Sequence, residues 1–551
     1  MNVGEMQRLL SLKAEGEPNH KFDDLYSLLC NGDWLRLAHE YVQQNAGSKT
    51  AGCDGVDMDY FDENAEGNLQ RIAEELKTKT FEACPVRRVY IPKAKGGMRP
   101  LGIPSIRDRI VQEALRMILE PIFEADFRQV SFGFRPNRCT MDAIKRIKLY
   151  VSEKNKYFWI IEGDIASYFD TIHHRKLMKL LGRRIGDQRV LDLIWKFLRA
   201  GVMERKLFKD TKAGTPQGGI ISPLLANVYL HELDKYMEKY TGLSLPDKRR
   251  RRSGGMANFA YVRYADDFVI MSNGRREEAE SMRQEIQSFL HDDLRLTLSM
   301  EKTKITHAND GFNFLGFHVQ RGMGPFRMAT KFTIPEKAVE KHMGTLMATL
   351  AKPTHEESLT NKFKAVNRII GGWCRYYQYT TKATLQFRRI GYRAFWMAVH
   401  WLGRKFQISI PQVMRRFLKG NYLKDGEVVM LFHQSFKHKI YTKCFVKPNP
   451  YTTLGEIERE IVLDDDPWRG QEGKRTGWAD IRRQAMERDA FTCQICKQPV
   501  TPATCEVDHI LPVRMFRRPV DANKLKNAWT LCIPCHKDKT ASDLQRESPV
   551  Q

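Results

Sequence analysis

The sequence predicts an α+β protein of several domains, and three observations carry that prediction. Its 551 residues, 42% of them apolar, give enough chain for about three or four domains with buried cores. Short apolar runs of strand character, FWIIEGD (Phe158–Asp164) and FAYVRYADDFVIMS (Phe259–Ser272), lie between longer stretches patterned as helices. Near the C-terminus two CxxC pairs mark a small, separate cysteine-bearing unit.

Up to about residue 80 the pattern is helical, broken by the turn-rich GSKTAGCDGVD (Gly47–Asp57). RRVYIPKAKGGMRPLGIPS (Arg87–Ser105) then gives two extended runs around a Lys-Gly-Gly turn, which predicts a β-hairpin with a basic tip. Helices are expected over Arg107–Phe123 and Thr140–Val151, a strand over FWIIEGDIASYFD (Phe158–Asp170), and helices again around 175–200. GTPQGGIISPLLANVYLHELD is a Gly-rich turn opening a helix, and DKRRRRSGG (Asp247–Gly255) is read as a basic loop, either solvated or in contact with nucleic acid. Helices alternating with short strands are expected to about residue 330, helices rich in Lys, Arg and aromatics over 335–445, and a Pro- and Asp-bearing linker after that.

Ninety Lys+Arg against 66 Asp+Glu leave a net charge of +24. An excess of that size points to a polyanionic partner, nucleic acid first. An anionic membrane is the rival, but neither end carries a basic amphipathic anchor. No run of about 18 apolar residues suggests a membrane span, and the first thirty residues lack a signal pattern. A cytoplasmic protein is expected. The other seven cysteines are scattered, so the four paired thiols fit a metal in a reducing compartment better than disulfides.

The adjacent aspartates Asp266 and Asp267 sit where two short strands would meet in a tight turn. Aspartate is a common turn former, but two of them between nearly unbroken apolar strands repel each other, and burying either one unpaired is costly. A shared divalent cation makes the arrangement favourable. A two-metal phosphoryl-transfer site needs one more carboxylate from another strand. Asp164 is the candidate, and Asp170 is the more structural of the two acids that end that run.

YADD (Tyr264–Asp267), GDIASYFD (Gly163–Asp170) and TPQGGIISPLLANVYL (Thr215–Leu230) resemble, in order and spacing, the palm motifs of reverse transcriptases, specifically those encoded by group II introns. GSKTAGCDGVD resembles the extra N-terminal motif of non-retroviral reverse transcriptases. The resemblance implies a right-hand polymerase: N-terminal extension and fingers over 1–110, palm with finger insertions and an antiparallel sheet over 111–330, and an α-helical thumb/maturase domain over 331–445. It also implies that Asp164, Asp266 and Asp267 hold Mg2+, with Ile165 and Phe169 at the nucleotide, Phe169 excluding a ribose 2′-hydroxyl. Gln217 would pack by the incoming deoxynucleotide, and Lys93 and Arg99 would clamp its triphosphate. Lys302, in LSMEKTKI, would protonate the leaving group, and Phe314–Gly316 resembles the primer grip.

FKAVNRIIGGWCRYYQYT (Phe363–Thr380) is an amphipathic helix for which core packing is the default. It resembles the maturase signature, which implies a grip on the group II intron RNA. After a linker or DNA-binding region over 446–480, the unit at 481–551 offers Cys493, Cys496, Cys532 and Cys535 as a tetrahedral Zn2+ set. Asp508, His509, Asn527 and His536, lying between and beside these pairs, resemble an HNH endonuclease of the ββα-metal type. That likeness makes His509 the general base, Asp508 and His536 ligands of Mg2+ or Mn2+, and Asn527 an orienting residue; a zinc ribbon that only binds DNA is the alternative. Together these features imply a protein that binds intron RNA, nicks target DNA and reverse transcribes the intron there. Two other readings are a splicing factor with an incidental polymerase and a reverse transcriptase in a host role such as defence or spacer acquisition.

Overall fold

Side-chain caps set the first helices. In the computed structural model, which describes residues 2–45, 47–92, 97–204, 207–209, 214, 218–324, 328–351, 358–420, 422–441, 449–452, 478–501, 504–510, 525–536 and 538–539, Asn2 accepts the Glu5 amide to start α1 (Val3–Gly16). The short α2 (Tyr26–Leu29) precedes α3 (Gly32–Gln44), which Asn31 caps in the same way. The turn-rich stretch follows as expected. Asp57 caps α4 (Met58–Asp62), and the Arg109 guanidinium donates to the carbonyls of Gly47 and Thr50. Helix α5 (Ala65–Lys77) completes this group.

The expected hairpin forms from β1 (Val86–Pro92) and β2 (Met98–Ile103), antiparallel from Arg87↔Ile103 to Pro92↔Met98. Its tip, with Lys93, lies outside the described residues. Helix α6 (Ile106–Asp126) is buried along nearly its whole length, and α1 and α3 pack on it. There follow α7 (Thr140–Tyr150), β3 (Trp159–Gly163), α8 (Tyr168–Thr171), α9 (His174–Leu181) and α10 (Gln188–Arg199). Strands β4 (Val202–Glu204) and β5 (Leu207–Lys209) extend the first hairpin into a sheet of order β2-β1-β4-β5.

After α11 (Ser222–Thr241) the structure departs from expectation: Asp247–Gly255 is not a loop, and α12 spans Leu245–Ser253. Ser244 accepts the Asp247 amide and Pro246 sits in the first turn, a start signal that the charge run obscured. Four consecutive arginines then cost little, since arginine is a good helix former, and none of them is buried.

Strands β6 (Phe259–Tyr264), β7 (Asp267–Ser272) and, beyond α13 (Arg276–Asp292), β8 (Lys304–His307) join β3 in an antiparallel sheet of order β6-β7-β3-β8. Both of its faces are covered. Ile161, Tyr261, Phe268 and Ile270 pack into a core with α6 and α11; Ile160, Val262, Val269 and Met271 pack into a second core with α7. Two-sided burial is why these strands read as apolar runs rather than as alternation.

The expected mixture of helices and strands up to residue 330 resolves into strands alone after α13, among the described residues. These are β9 (Phe312–Phe314), β10 (Phe317–Met323) and β11 (Met328–Thr333), forming a meander. Helices α14 (Glu336–Ala351), α15 (Leu359–Tyr377), α16 (Ala383–Phe406) and α17 (Ile410–Phe417) match the helical expectation. A small antiparallel sheet breaks it: β12 (Leu418–Lys419), β13 (Tyr422–Asp425) and β14 (Val428–Met430). Asp425-Gly426 at the second turn is a hairpin signal in its own right. The start of the expected linker docks on the same unit, Asn449 donating to Ser11 and Glu15 and Tyr451 to Glu120.

The chain divides into two compact units, Met1–Thr453 and Leu454–Gln551. In the second, α18 (Trp478–Arg488) packs on an antiparallel pair, β15 (Cys505–His509) and β16 (Ala528–Cys532). Among the described residues no helix is long and apolar enough to cross a membrane.

Candidate functional site

Tyr264 pairs with Asp267, so β6 and β7 close through a two-residue turn of Ala265 and Asp266. Ala265 is left-handed, φ 57°, a conformation that costs a non-glycine residue about 1 kcal/mol. A buried network holds it there. Arg263, fully buried, donates to Asp234 at 2.8 and 2.6 Å, to Asn227 Oδ1 at 2.9 Å and to the Ala265 carbonyl at 3.0 Å. Burial alone would raise the Asp234 carboxyl; the Arg263 guanidinium reverses that and holds it well below the usual range.

Asp164 arrives from the neighbouring strand. A Cβ on Gly163 would lie 2.1 Å from the Phe268 ring, so glycine is what lets β3 close against β7 just before the carboxylate. The Asp164 carbonyl accepts the Ser299 amide at 2.8 Å, and Lys302 Nζ donates to the side chain, also at 2.8 Å. Burial and then Asp164 raise the Asp266 carboxyl, which Arg99 partly offsets. Asp267 reaches the surface, yet the surrounding protein strips enough of its hydration, with Asp266 and Asp164 adding repulsion, to push it up to about 6. Three carboxylates brought this close repel one another and are well matched to a divalent cation. Arg99, on β2 of the first hairpin, acts on the same point.

The other expected residues distribute as follows. The Ile165 side chain is in the core, and its main chain forms a β-bridge with Leu298. Phe169 is half-buried with the Phe134 ring edge-on at 6.3 Å. Lys93 and Gln217 fall outside the described residues. The Phe314–Gly316 turn is bolted to α15: Tyr376 donates to the Leu315 carbonyl at 2.7 Å and Tyr377 to that of Gly316 at 3.1 Å. In the sequence those tyrosines read as core or RNA-facing residues without this bond, because nothing local pairs residues 61 positions apart.

In the second unit the thiols of Cys493, Cys496, Cys532 and Cys535 all lie within 4.8 Å of one another, a set no other side-chain group among the described residues equals. Main-chain N–H groups at Cys532, Cys496 and Ile495 overcome burial and draw the Cys493 thiol down to about 6, as a metal knuckle requires. The geometry and donor chemistry fit zinc. Cys505 is buried beside Met486 and belongs to the core.

Strand alternation turns Glu506 and Asp508 to one face and His509 inward. Asp508 lies 3.7 Å from His536 Nε2 and 3.9 Å from His509 Nδ1. Two partners escaped the sequence reading: Glu506, 3.2 Å from His536 Nδ1, and Lys539, which donates to Asp508 at 2.9 Å. Burial raises the Asp508 carboxyl, and Lys539 more than offsets it, leaving the group lowered. Both were findable, Glu506 two residues from Asp508 on a strand and Lys539 three residues from His536 on a helical turn. Asn527 is buried, its carbonyl accepting the Ile510 amide at 2.7 Å.

Family comparisons agree with this division. Residues 91–319 match the family described as reverse transcriptase (RNA-dependent DNA polymerase), 341–418 the group II intron maturase-specific domain, and 493–542 the HNH endonuclease family. Protein YkfC of Escherichia coli (strain K12) is 41% identical over 64% of this chain and 97% of its own length. The group II intron-encoded protein LtrA of Lactococcus lactis subsp. cremoris is 36% identical over 96% of this chain and 97% of its own. The putative COX1/OXI3 intron 2 protein of Saccharomyces cerevisiae is 31% identical over 70% of this chain and 52% of its own. The chain therefore belongs to the group II intron-encoded proteins, joining an RNA-directed DNA polymerase, a maturase domain and an HNH endonuclease in one polypeptide.

Proposed function

We propose that this protein binds its own intron RNA, assists its splicing, and reverse transcribes it at a DNA target whose second strand it nicks to make the primer. Fingers over 1–110, palm over 111–330, thumb/maturase over 331–445, a DNA-binding region over 446–480 and the nuclease over 481–551 divide the work. The carrying observation is the convergence of Asp164, Asp266 and Asp267 at one end of the β6-β7-β3-β8 sheet, with the charge of Arg99 on the β1–β2 hairpin acting on Asp266.

Asp164, Asp266 and Asp267 would hold two Mg2+ ions, whose chemistry is to activate the primer 3′-hydroxyl and to neutralise the departing pyrophosphate. Arg99, with Lys93, binds the triphosphate of the incoming deoxynucleotide. Phe169 fills the space a 2′-hydroxyl would need, the Ile165 main chain lines the floor, and Gln217 packs beside the nucleotide. Lys302 keeps a proton on its ammonium through its bond to Asp164 and would donate it to the leaving group. Tyr376 and Tyr377 fix the turn that holds the primer end. In the nuclease, His509 takes the proton from the attacking water and Asn527 orients it. Asp508 and His536 would hold one Mg2+ or Mn2+, and the four thiols a structural Zn2+.

The test is to purify the full chain with its bound nucleic acid, sequence the RNA, and assay primer extension. Recovery of an intron containing this reading frame, with extension abolished and RNA still bound in Asp266→Asn, is the expected result. RNA-free protein that extends primers undiminished after that substitution would sink the proposal.

A further inference from the structure

Beside the catalytic turn the chain SFGFR (Ser131–Arg135) holds one large apolar side chain out in solvent. Phe134 is 50% exposed and left-handed at φ 57°, while Phe132 and Arg135 on either side are 1% and 5% exposed. Its neighbours are clamped. The Phe132 amide donates to the Arg263 carbonyl at 2.9 Å, and the Arg263 amide to the Val130 carbonyl at 2.8 Å, so this segment runs parallel beside β6. Asn227, already bonded to the Arg263 guanidinium, donates to the Gly133 carbonyl at 2.8 Å. The Arg135 guanidinium donates to Glu124, which anchors the far side. Gly133 itself touches the catalytic turn: a Cβ there would stand 2.4 Å from the Ala265 amide nitrogen.

Phe134 is thus carried on the same rigid plate as Asp266, in a strained conformation, with an apolar ring facing solvent. Neither strain nor exposure is explained by packing in the chain's own core. Among the described residues the ring has one aromatic partner, Phe169, met edge-on at 6.3 Å and 76°. That geometry is attractive and directional, and it reaches Phe169 from the side of the catalytic turn, whereas Tyr168 meets it from within its own helix.

We infer that Phe134 is a positioning residue for sugar discrimination: its ring fixes the Phe169 ring relative to the catalytic aspartates, so that the gate against a 2′-hydroxyl stands at a set distance from the reacting end. The inference rests on reading Phe169 as that gate. An edge-to-face contact fixes a ring that could otherwise rotate away, and because Arg263, Asn227 and Gly133 tie the contact to Ala265, gate and metal site move as one body.

The test compares single-nucleotide incorporation of deoxy- and ribonucleoside triphosphates by full-length protein, reading the ratio of the two kcat/KM values. Phe134→Gly removes the ring at a backbone position that favours glycine, and Phe134→Tyr keeps the ring. Phe134→Gly should lower the deoxy-over-ribo ratio roughly two- to tenfold, with deoxynucleotide kcat and the melting temperature little changed, and Phe134→Tyr should restore it. Phe169→Ala should lower the ratio further. If Phe169→Ala relaxes selection and Phe134→Gly leaves it intact, the inference is overturned while the gate reading stands. If Phe169→Ala also leaves the ratio intact, the gate reading fails and the inference with it.

Discussion

The acidic turn of the polymerase and the thiol knuckle of the nuclease both gather ligands from distant parts of the chain, but from opposite amounts of core. Around Asp266 the positions are set before any ion arrives: both sheet faces are buried, and Arg263, Asp234 and Asn227 lock the turn from beneath. Among its described residues the nuclease unit has two small apolar clusters, one of Ala485, Val507 and Ala528, the other of Cys493, Val500, Cys505 and Leu531, the second including one of the four gathered thiols. Clusters of that size contribute little against the entropy of ordering the helix and strand pair they join, and a bound metal would add to them. On the proposed reading, protein would position metal in the first centre and metal would position protein in the second.

The comparison breaks most visibly if zinc is withdrawn. A structural Zn2+ site is worth on the order of 10 kcal/mol of apparent folding free energy in units this small. Cys532→Ser, or a strong zinc chelator, should expose the nuclease unit to limited proteolysis and abolish nicking while leaving primer extension intact. Retention of a protease-resistant nuclease unit after zinc loss would show that its core suffices.

The converse change in the polymerase should act through protein alone. Arg263→Met strands the Asp234 carboxylate in the interior, and breaking a buried pair from one side costs roughly 3–5 kcal/mol. Chemical denaturation should show that loss in the first unit, with a fall in primer extension because the Ala265 carbonyl loses its donor. Adding Asp234→Leu to Arg263→Met should recover much of the stability and little of the activity.

The same contrast governs what could be read from sequence. The strand–turn–strand of Phe259–Ser272 was legible because two-sided burial writes itself as apolar runs, and the carboxylates stand out against them. The thiols were legible because knuckle geometry fixes their spacing. Arg263 was not legible. A lone arginine in an apolar strand carries no local sign that Asp234, 29 residues earlier on a helix, neutralises it. The α12 helix is hard to read because four consecutive arginines carry no apolar periodicity, leaving Ser244 and Asp247 as its start signal, and β12–β14 because they are short strands directly after long helices. Glu506 and Lys539 were missed although strand and helix periodicity reach both of them.

Acid should separate the centres by another route. In the maturase region His342 and His433 share a 2.7 Å Nε2–Nε2 hydrogen bond, with Trp373 stacked 4.4 Å from the His342 ring. Burial lowers His342 to about 4 and, with His342 beside it, His433 to about 3. The unfolded chain therefore takes up protons first as pH falls below about 6.5. Each depressed imidazole gives stability that is full above that pH and is lost as pH falls toward the folded value; for His342 the loss at pH 5 is about 2 kcal/mol. Denaturation of the first unit between pH 7 and 5 should show that slope, and His342→Leu with His433→Leu should flatten it. A slope unchanged by the double substitution would assign it to other groups.

The smallest effect tests whether preorganisation in the first unit extends to the primer. Tyr376 and Tyr377 each donate one hydrogen bond to the turn at Leu315 and Gly316, and Phe317 stacks on Tyr376 at 5.1 Å. Leu315 is left-handed at φ 48°, so the turn is held rather than relaxed. Tyr376→Phe keeps the ring and its stacking and removes one donor, a loss of about 1 kcal/mol. Global stability should therefore scarcely move. The KM for primer–template should rise severalfold with kcat for a bound primer nearly unchanged, and nicking should be unaffected. Unaltered primer affinity would mean that the turn keeps its shape through β9 and β10 alone, and that α15 holds the turn without helping the turn hold DNA.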